Sequence, residues 1–212
     1  RLFNMLRRSP VISVEGVQML KFGEYVHTLL MPSNLNVIKI KPLRGSALIV
    51  CNPKLVFSLV DCFFGGDGRF HTKIEGRDFT GTEMRIVRKL VDMCFEAMHE
   101  AWEPVMPVQF EYQGAEINPH FANIVTPSEV VVVSTFHIDL EGGAGYLHVT
   151  MPYAMIEPIP PATTNARTVF SGSMFRSSSS ASSMPGTIPP APAVGAATIT
   201  PMREFSPITD NA

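Results

Sequence analysis

The hydrophobic and polar positions of residues 1–159 follow the same order twice. Each half has apolar residues at helical spacing, then an alternating strand pattern, a short helix, two strands joined by a turn, and a closing helix. Val11 and Val108 open equivalent strands, and Pro53 and Pro152 begin equivalent helices, at separations of 97 and 99 residues. This duplication predicts a sheet with internal twofold pseudo-symmetry, covered by helices.

Turn and cap residues mark the boundaries of several elements. The Pro-Leu-Arg-Gly sequence at residues 42–45 predicts a hairpin turn, and Asn52 before Pro53 predicts the start of a helix. The predicted strands cover residues 11–19, 35–41, 46–51, 108–117, 130–140 and 146–151, and two short helices cover residues 22–30 and 119–125.

The longest predicted helix begins after Thr80, because Thr80 and Glu83 have the spacing of a capping box. Its apolar residues recur every three or four positions and form one stripe: Met84, Val87, Val91, Cys94, Phe95, Met98 and Trp102. Such a stripe favours packing in the core of the domain. The alternative is a contact with a helix of another subunit.

The composition changes sharply at Pro160. From there to Ala212, 35 of 53 residues are Ser, Pro, Thr, Ala or Gly. Such a segment cannot bury enough apolar surface to offset the entropy lost when the chain is ordered. We therefore predict a folded domain over residues 1–159 and a linker or disordered tail over 160–212 that adds little to stability. Apolar residues near 174–175 and 202–208 are compatible with the alternative that part of the tail docks as a peptide. Residues 171–174 also resemble an artificial junction.

Charge, cysteine content and hydropathy exclude several classes of protein. The net charge of −2 gives no field that would attract nucleic acid. No run of 18 apolar residues predicts a membrane span, and no signal peptide opens the sequence. Cys51, Cys62 and Cys94 each lie in an apolar stretch, which favours free buried thiols in a reducing compartment.

The sequence contains little that indicates catalysis. The six histidines are isolated from one another along the chain, and Glu96 with His99 makes at most half of a metal site. Nucleophile-elbow motifs are absent as well. We therefore predict no catalytic residue, metal or cofactor.

A glycine-rich segment between the two halves is the most unusual local feature. It runs through Gly65, Gly66, Asp67, Gly68 and Arg69, with Phe63 and Phe64 before it and Phe70 after it. Its spacing does not match a phosphate-binding loop. A flexible, exposed tip of this kind favours partner docking, because aromatic and arginine side chains are common interface anchors; a mobile connector is the alternative.

Six motifs in residues 1–159 resemble the flagellar motor switch protein FliM family. They are Phe-Asn-Met-Leu-Arg-Arg-Ser-Pro at 3–10, Pro-Ser-Asn-Leu-Asn at 32–36, Lys-Pro-Leu-Arg-Gly at 41–45, Phe-Gly-Gly-Asp-Gly-Arg-Phe at 64–70, Glu-Gly-Arg-Asp-Phe-Thr at 75–80 and Met-Pro-Tyr-Ala-Met-Ile-Glu-Pro at 151–158. The resemblance is collinear and corresponds to the middle domain of the family. It implies a three-layer α/β/α sandwich, shared with the CheC and CheX phosphatases.

The resemblance also implies a function in protein assembly. The glycine-rich loop of the family contacts the middle domain of FliG, and this role carries over to Gly65, Gly66, Asp67, Gly68 and Arg69. Neighbouring FliM subunits would lie side by side in a cytoplasmic ring at the flagellar basal body, peripheral to the inner membrane. The family regions that bind phosphorylated CheY and FliN have no counterpart in this sequence, so those partners are expected to bind only through regions missing here.

A CheC-type phosphatase of phosphorylated CheY is the competing hypothesis, because the fold is shared. Those enzymes carry Glu-x-x-Asn on a helix. Here Glu83 is followed at that spacing by Ile86, and Asn4 is preceded by Arg1. An apolar side chain cannot orient the attacking water, so we expect no such activity.

Overall fold

Six strands form one antiparallel sheet in the computed structural model, which describes residues 1–68, 77–140 and 142–159. The order across the sheet is β1-β5-β6-β3-β2-β4. The strands are β1 (Val11–Lys21), β2 (Asn34–Lys41), β3 (Ala47–Cys51), β4 (Gln109–Glu116), β5 (Val130–Asp139) and β6 (Ala144–Pro152).

The strand order confirms the predicted internal duplication. Read from either edge, equivalent strands of the two halves occupy equivalent places: β1 and β4 at the edges, β5 and β2 next, β6 and β3 in the centre. Both edge strands carry a one-residue bulge, at Glu15 against β5 and at Gln113 against β2. A glycine, Gly16 or Gly114, follows each bulge, so the repeat extends to the irregularities of the sheet.

Alternation along the strands separates two hydrophobic layers. In β5, Phe136 and Ile138 belong to one core while Val131 and Val133 belong to the other, as the two-residue period of a strand requires. Helices α1 (Leu2–Leu6), α3 (Pro53–Phe63), α4 (Gly81–Trp102) and α5 (Tyr153–Ile156) contribute to the first core, and α2 (Phe22–Thr28) contributes to the second. The predicted three-layer α/β/α architecture is confirmed.

The cap residues fix where the two longest helices begin. The side chain of Asn52 accepts a hydrogen bond from the Leu55 N–H at 2.9 Å, with Pro53 at the first helical position. Thr80 and Glu83 form the predicted capping box of α4. The apolar stripe of α4 packs into the first core, as the core-packing interpretation predicts.

One predicted helix is wrong. Residues 119–125 form turns and bends instead. The backbone bonds account for the difference, because the Asn123 and Ile124 N–H groups donate to the Phe121 and Ala122 carbonyls, two residues back, whereas a helix needs a partner four residues back. These local turns use the groups that a helix would need.

The predictions on cysteines, membrane spans and the tail are taken in turn. Cys51, Cys62 and Cys94 are buried and form no disulfide with one another, as predicted. Among the described residues, no helix combines the length and the apolar character needed to cross a membrane. The predictions for residues 160–212, including the docked peptide and the junction, fall outside the described residues.

Candidate functional site

Helix α3 ends in a hydrogen-bonded turn that begins the glycine loop, here residues 65–68. The Gly65 N–H donates to the Cys62 carbonyl at 3.1 Å, and the Gly66 N–H donates to the Asp61 carbonyl at 2.8 Å. This pair of bonds is the Schellman arrangement, which needs a left-handed residue just after the helix. Gly65 has φ +89°, a conformation that costs a residue with a Cβ more than it costs glycine.

The carboxylate of Asp61 fixes the shape of the loop. Its Oδ2 accepts a hydrogen bond from the Gly68 N–H at 2.7 Å. Gly66 lies directly against the same carboxylate, and a Cβ at this position would overlap all three of its terminal atoms. Because charge-assisted hydrogen bonds are the stronger kind, Asp61 closes the loop into one conformation.

The far end of the loop is buried against the hairpin that joins β5 to β6. The Ser58 hydroxyl donates to the Gly68 carbonyl at 3.3 Å. A Cβ at Gly143, in the hairpin turn, would overlap both the Ser58 hydroxyl and the Gly68 carbonyl. The backbones of the two halves therefore meet at a place where only glycine fits.

A cation holds the outer side of the loop. The Arg8 guanidinium, in the segment between α1 and β1, donates to the Gly66 carbonyl at 2.7 Å. Phe64, just before the loop, is 68% exposed and contacts the ring of Phe63. Asp67 is exposed at the tip. The loop thus presents backbone groups, a carboxylate and an aromatic ring on a shape held from three sides.

Among the described residues, no three His, Cys, Asp or Glu side chains lie close enough to hold a metal ion. His99 instead contacts the Val108 carbonyl at 2.9 Å through its Nδ1.

Glu83 and Ile86, which have the spacing of the Glu-x-x-Asn motif on α4, are both structural residues. Glu83 is 8% exposed and accepts hydrogen bonds from the Thr80 N–H at 2.6 Å and from Arg77 at 2.7 Å. Burial raises the pKa of Glu83, but the bonds from Thr80 and Arg77 outweigh burial and keep the pKa below its usual range. Ile86 is 3% exposed. Glu83 is therefore committed to the helix cap, and Ile86 to the core.

The family model described as flagellar motor switch protein FliM matches residues 1–167. The chain belongs to the FliM family. FliM of Pseudomonas aeruginosa is 62% identical over 158 residues, which are 74% of this chain and 49% of that protein. FliM of Escherichia coli K12 is 42% identical over 165 residues, 77% of this chain and 49% of that protein. The chain spans about half the length of these curated relatives.

Solved structures place the similarity in the middle domain of FliM. The crystal structure of the FliM middle domain from Vibrio alginolyticus has a TM-score of 0.68 and 53% identity, covering 74% of this chain and 88% of that one. A FliG–FliM complex from H. pylori has a TM-score of 0.70 at 23% identity, covering 74% of this chain and 86% of that one. The latter likeness shows the fold alone.

The site residues inferred from the FliM resemblance have different environments. Gly65 and Asp67 are exposed, Gly66 is half-buried, and Gly68 is buried, whereas the sequence predicts an exposed, flexible tip throughout. That expectation is wrong for Gly68, because Asp61, Ser58 and the hairpin all contact it. Arg69 and Phe70 lie outside the described residues.

Four supporting residues of this FliM-family loop are missing from the sequence prediction. They are Arg8, Ser58, Asp61 and Gly143. Only one had a sequence signal: Gly143 belongs to the glycine-rich run at 142–145, which predicts a turn but not a contact 75 residues away. The other three are ordinary polar residues, whose function depends on how the two halves pack.

Proposed function

We propose that this chain binds the middle domain of FliG through the glycine loop and Arg69, as part of a flagellar motor switch. The observation that carries the proposal is the closure of the loop by Asp61, with the Gly68 N–H at 2.7 Å from its carboxylate. A surface held in one conformation before binding loses little entropy when a partner docks. Family membership supports the same function, and the H. pylori relative is named as a complex with FliG.

In this proposal the domain is a non-catalytic module of a cytoplasmic rotor ring, peripheral to the inner membrane at the basal body. Neighbouring FliM subunits are its lateral partners, and binding of FliG relays chemotactic signals into the direction of rotation. FliN and phosphorylated CheY bind through other regions of the protein. Relatives are named as motor switch proteins, which agrees with a mechanical rather than a chemical function.

Titration of the 212-residue chain with the FliG middle domain tests this function. We expect saturable 1:1 binding, with a Kd on the order of micromolar, about −8 kcal/mol. FliN, added in place of FliG, serves as a control partner that is not expected to bind. No binding of FliG at concentrations near 100 times that Kd would overturn the proposal.

A phosphatase assay separates this proposal from the CheC-type alternative. Because Glu83 is committed to the capping box and Ile86 to the core, dephosphorylation of phosphorylated CheY should proceed at the same rate with and without the chain. A CheC-type enzyme in a parallel reaction verifies that the assay responds. A catalytic acceleration by this chain would establish an enzyme and contradict the non-catalytic proposal.

A further inference from the structure

A groove of about 440 Å³ lies beside the glycine loop and shares Arg8 and Gly65 with the loop contacts described above. Its lining residues come from the end of α1, the segment after it and the start of the loop: Phe3, Leu6, Arg7, Arg8, Ser9 and Gly65. Two of the six are arginines and none is acidic, so the lining itself carries positive charge. An anionic group is the ligand that this lining complements.

Arg7 supplies the charge of this groove. Three other arginines have carboxylate partners among the described residues: Arg1 pairs with Glu96 and Glu100, Arg77 with Glu83, and Arg88 with Asp92. The Arg7 side chain makes no hydrogen bond or ion pair with any residue in the described ranges. Its backbone is left-handed, with φ +56°, and its N–H donates to the Phe3 carbonyl at 2.7 Å. The guanidinium therefore stays exposed at a fixed point of the chain.

Exposed aromatic rings accompany the charge. Phe3, in the groove, is 50% exposed, and Phe64, next to Gly65, is 68% exposed. Single exposed apolar side chains are common on a folded domain, so these two rings support an interaction site only together with the charge beside them. Aromatic rings beside an arginine have the composition of an interface centre, where such residues contribute most of the binding energy.

We propose that this groove binds an acidic side chain, flanked by an apolar residue, of the same partner that docks on the glycine loop. The carboxylate would pair with the Arg7 guanidinium, whose planar fork matches it in a bidentate manner, and the apolar neighbour would cover Phe3. Arg8 links the two surfaces, since it lines the groove and donates to the Gly66 carbonyl. This inference rests on the proposed function and extends its contact surface to α1.

Charge reversal in the full 212-residue chain tests the groove. Arg7→Glu should weaken binding of the FliG middle domain at least about 10-fold, because it opposes the partner carboxylate. Arg44→Glu is the matched control: Arg44 is exposed in the turn between β2 and β3 and does not line the groove. It should change the affinity less than about 2-fold. Equal effects of the two changes would overturn the proposal in favour of a general charge effect.

A second variant separates binding from folding. Arg7→Gly removes the guanidinium but suits the left-handed backbone, so the melting temperature should not fall while the affinity drops. Raising NaCl from about 50 to about 300 mM should weaken wild-type binding more steeply than binding of Arg7→Gly, because the screened ion pair is present only in the wild type. Identical salt slopes would contradict the ion pair.

The loop and the groove can fail independently. If Gly66→Val abolishes binding while Arg7→Glu and Arg7→Gly bind like wild type, the groove proposal is overturned and the proposed function stands. If the wild-type chain does not bind the FliG middle domain at all, both are overturned.

Discussion

Gly145→Ala is expected to lower the melting temperature by roughly 6–12 °C, which corresponds to about 3 kcal/mol in a domain of this size. Gly145 lies in β6, where the first turn of α3 crosses the strand. A Cβ there would lie 2.5 Å from both the N and the Cβ of Leu55, and 2.6 Å from the Asn52 Oδ1. Leu55 is fully buried, so the helix has to move away from the sheet.

The same substitution also disturbs a helix cap. The Asn52 Oδ1 accepts hydrogen bonds from the Leu55 N–H at 2.9 Å and the Tyr146 N–H at 3.1 Å. Differential scanning calorimetry measures the loss. Gly114→Ala is the control, because a Cβ there meets nothing within 4 Å, and it should stay within about 1 kcal/mol of wild type. Equal melting temperatures for the two variants would mean that α3 adapts without cost.

Gly66→Val should weaken FliG binding by about 10- to 100-fold, or 1.4–2.7 kcal/mol, while the melting temperature changes by only a few degrees. The added side chain cannot occupy the space of the Asp61 carboxylate, so the loop has to open or the carboxylate has to turn away. Either movement breaks the bond to the Gly68 N–H. Calorimetric titration beside melting curves measures both quantities.

A double-mutant cycle tests that explanation. Asp61→Ala alone should also weaken binding, because it removes the acceptor for the Gly68 N–H. Once the carboxylate is absent, Gly66→Val should add little, so the two changes should be strongly non-additive. Full additivity would mean that Gly66 acts through a direct contact with the partner. A melted domain in either single variant would count against the view that the loop can change without the core.

Local chemistry explains which parts of the fold the sequence predicts well. Asn52 and Thr80 each satisfy a nearby backbone donor within three residues, so their function is visible in the adjacent residues. The duplicated pattern is equally visible because it depends on apolar spacing alone. The prediction of a helix at 119–125 is wrong because the spacing of its apolar residues does not distinguish a helix from a series of turns. The Asn118 side chain stabilises the first of these turns.

In the candidate site, too, the features set by local sequence are predictable and the contacts between distant residues are not. Its glycines stand out in the sequence, and Gly65 has the positive φ expected of such a residue. The burial of Gly68 is not predictable, because it depends on Ser58 from one half and Gly143 from the other. Contacts between residues so far apart exist only once the order of the strands is known.

That strand order has a consequence for how the chain folds. Of the five strand pairings among the described residues, β2–β3 and β5–β6 join strands of the same half, and the other three join one half to the other. Val11, for example, pairs with Asp139. Each half thus gives its edge strand to the other, as in a domain-swapped dimer, and neither can complete a sheet alone. During synthesis the sheet cannot be completed until β6, its last strand in the sequence, has left the ribosome. The high contact order of these pairings predicts folding in milliseconds to seconds rather than microseconds.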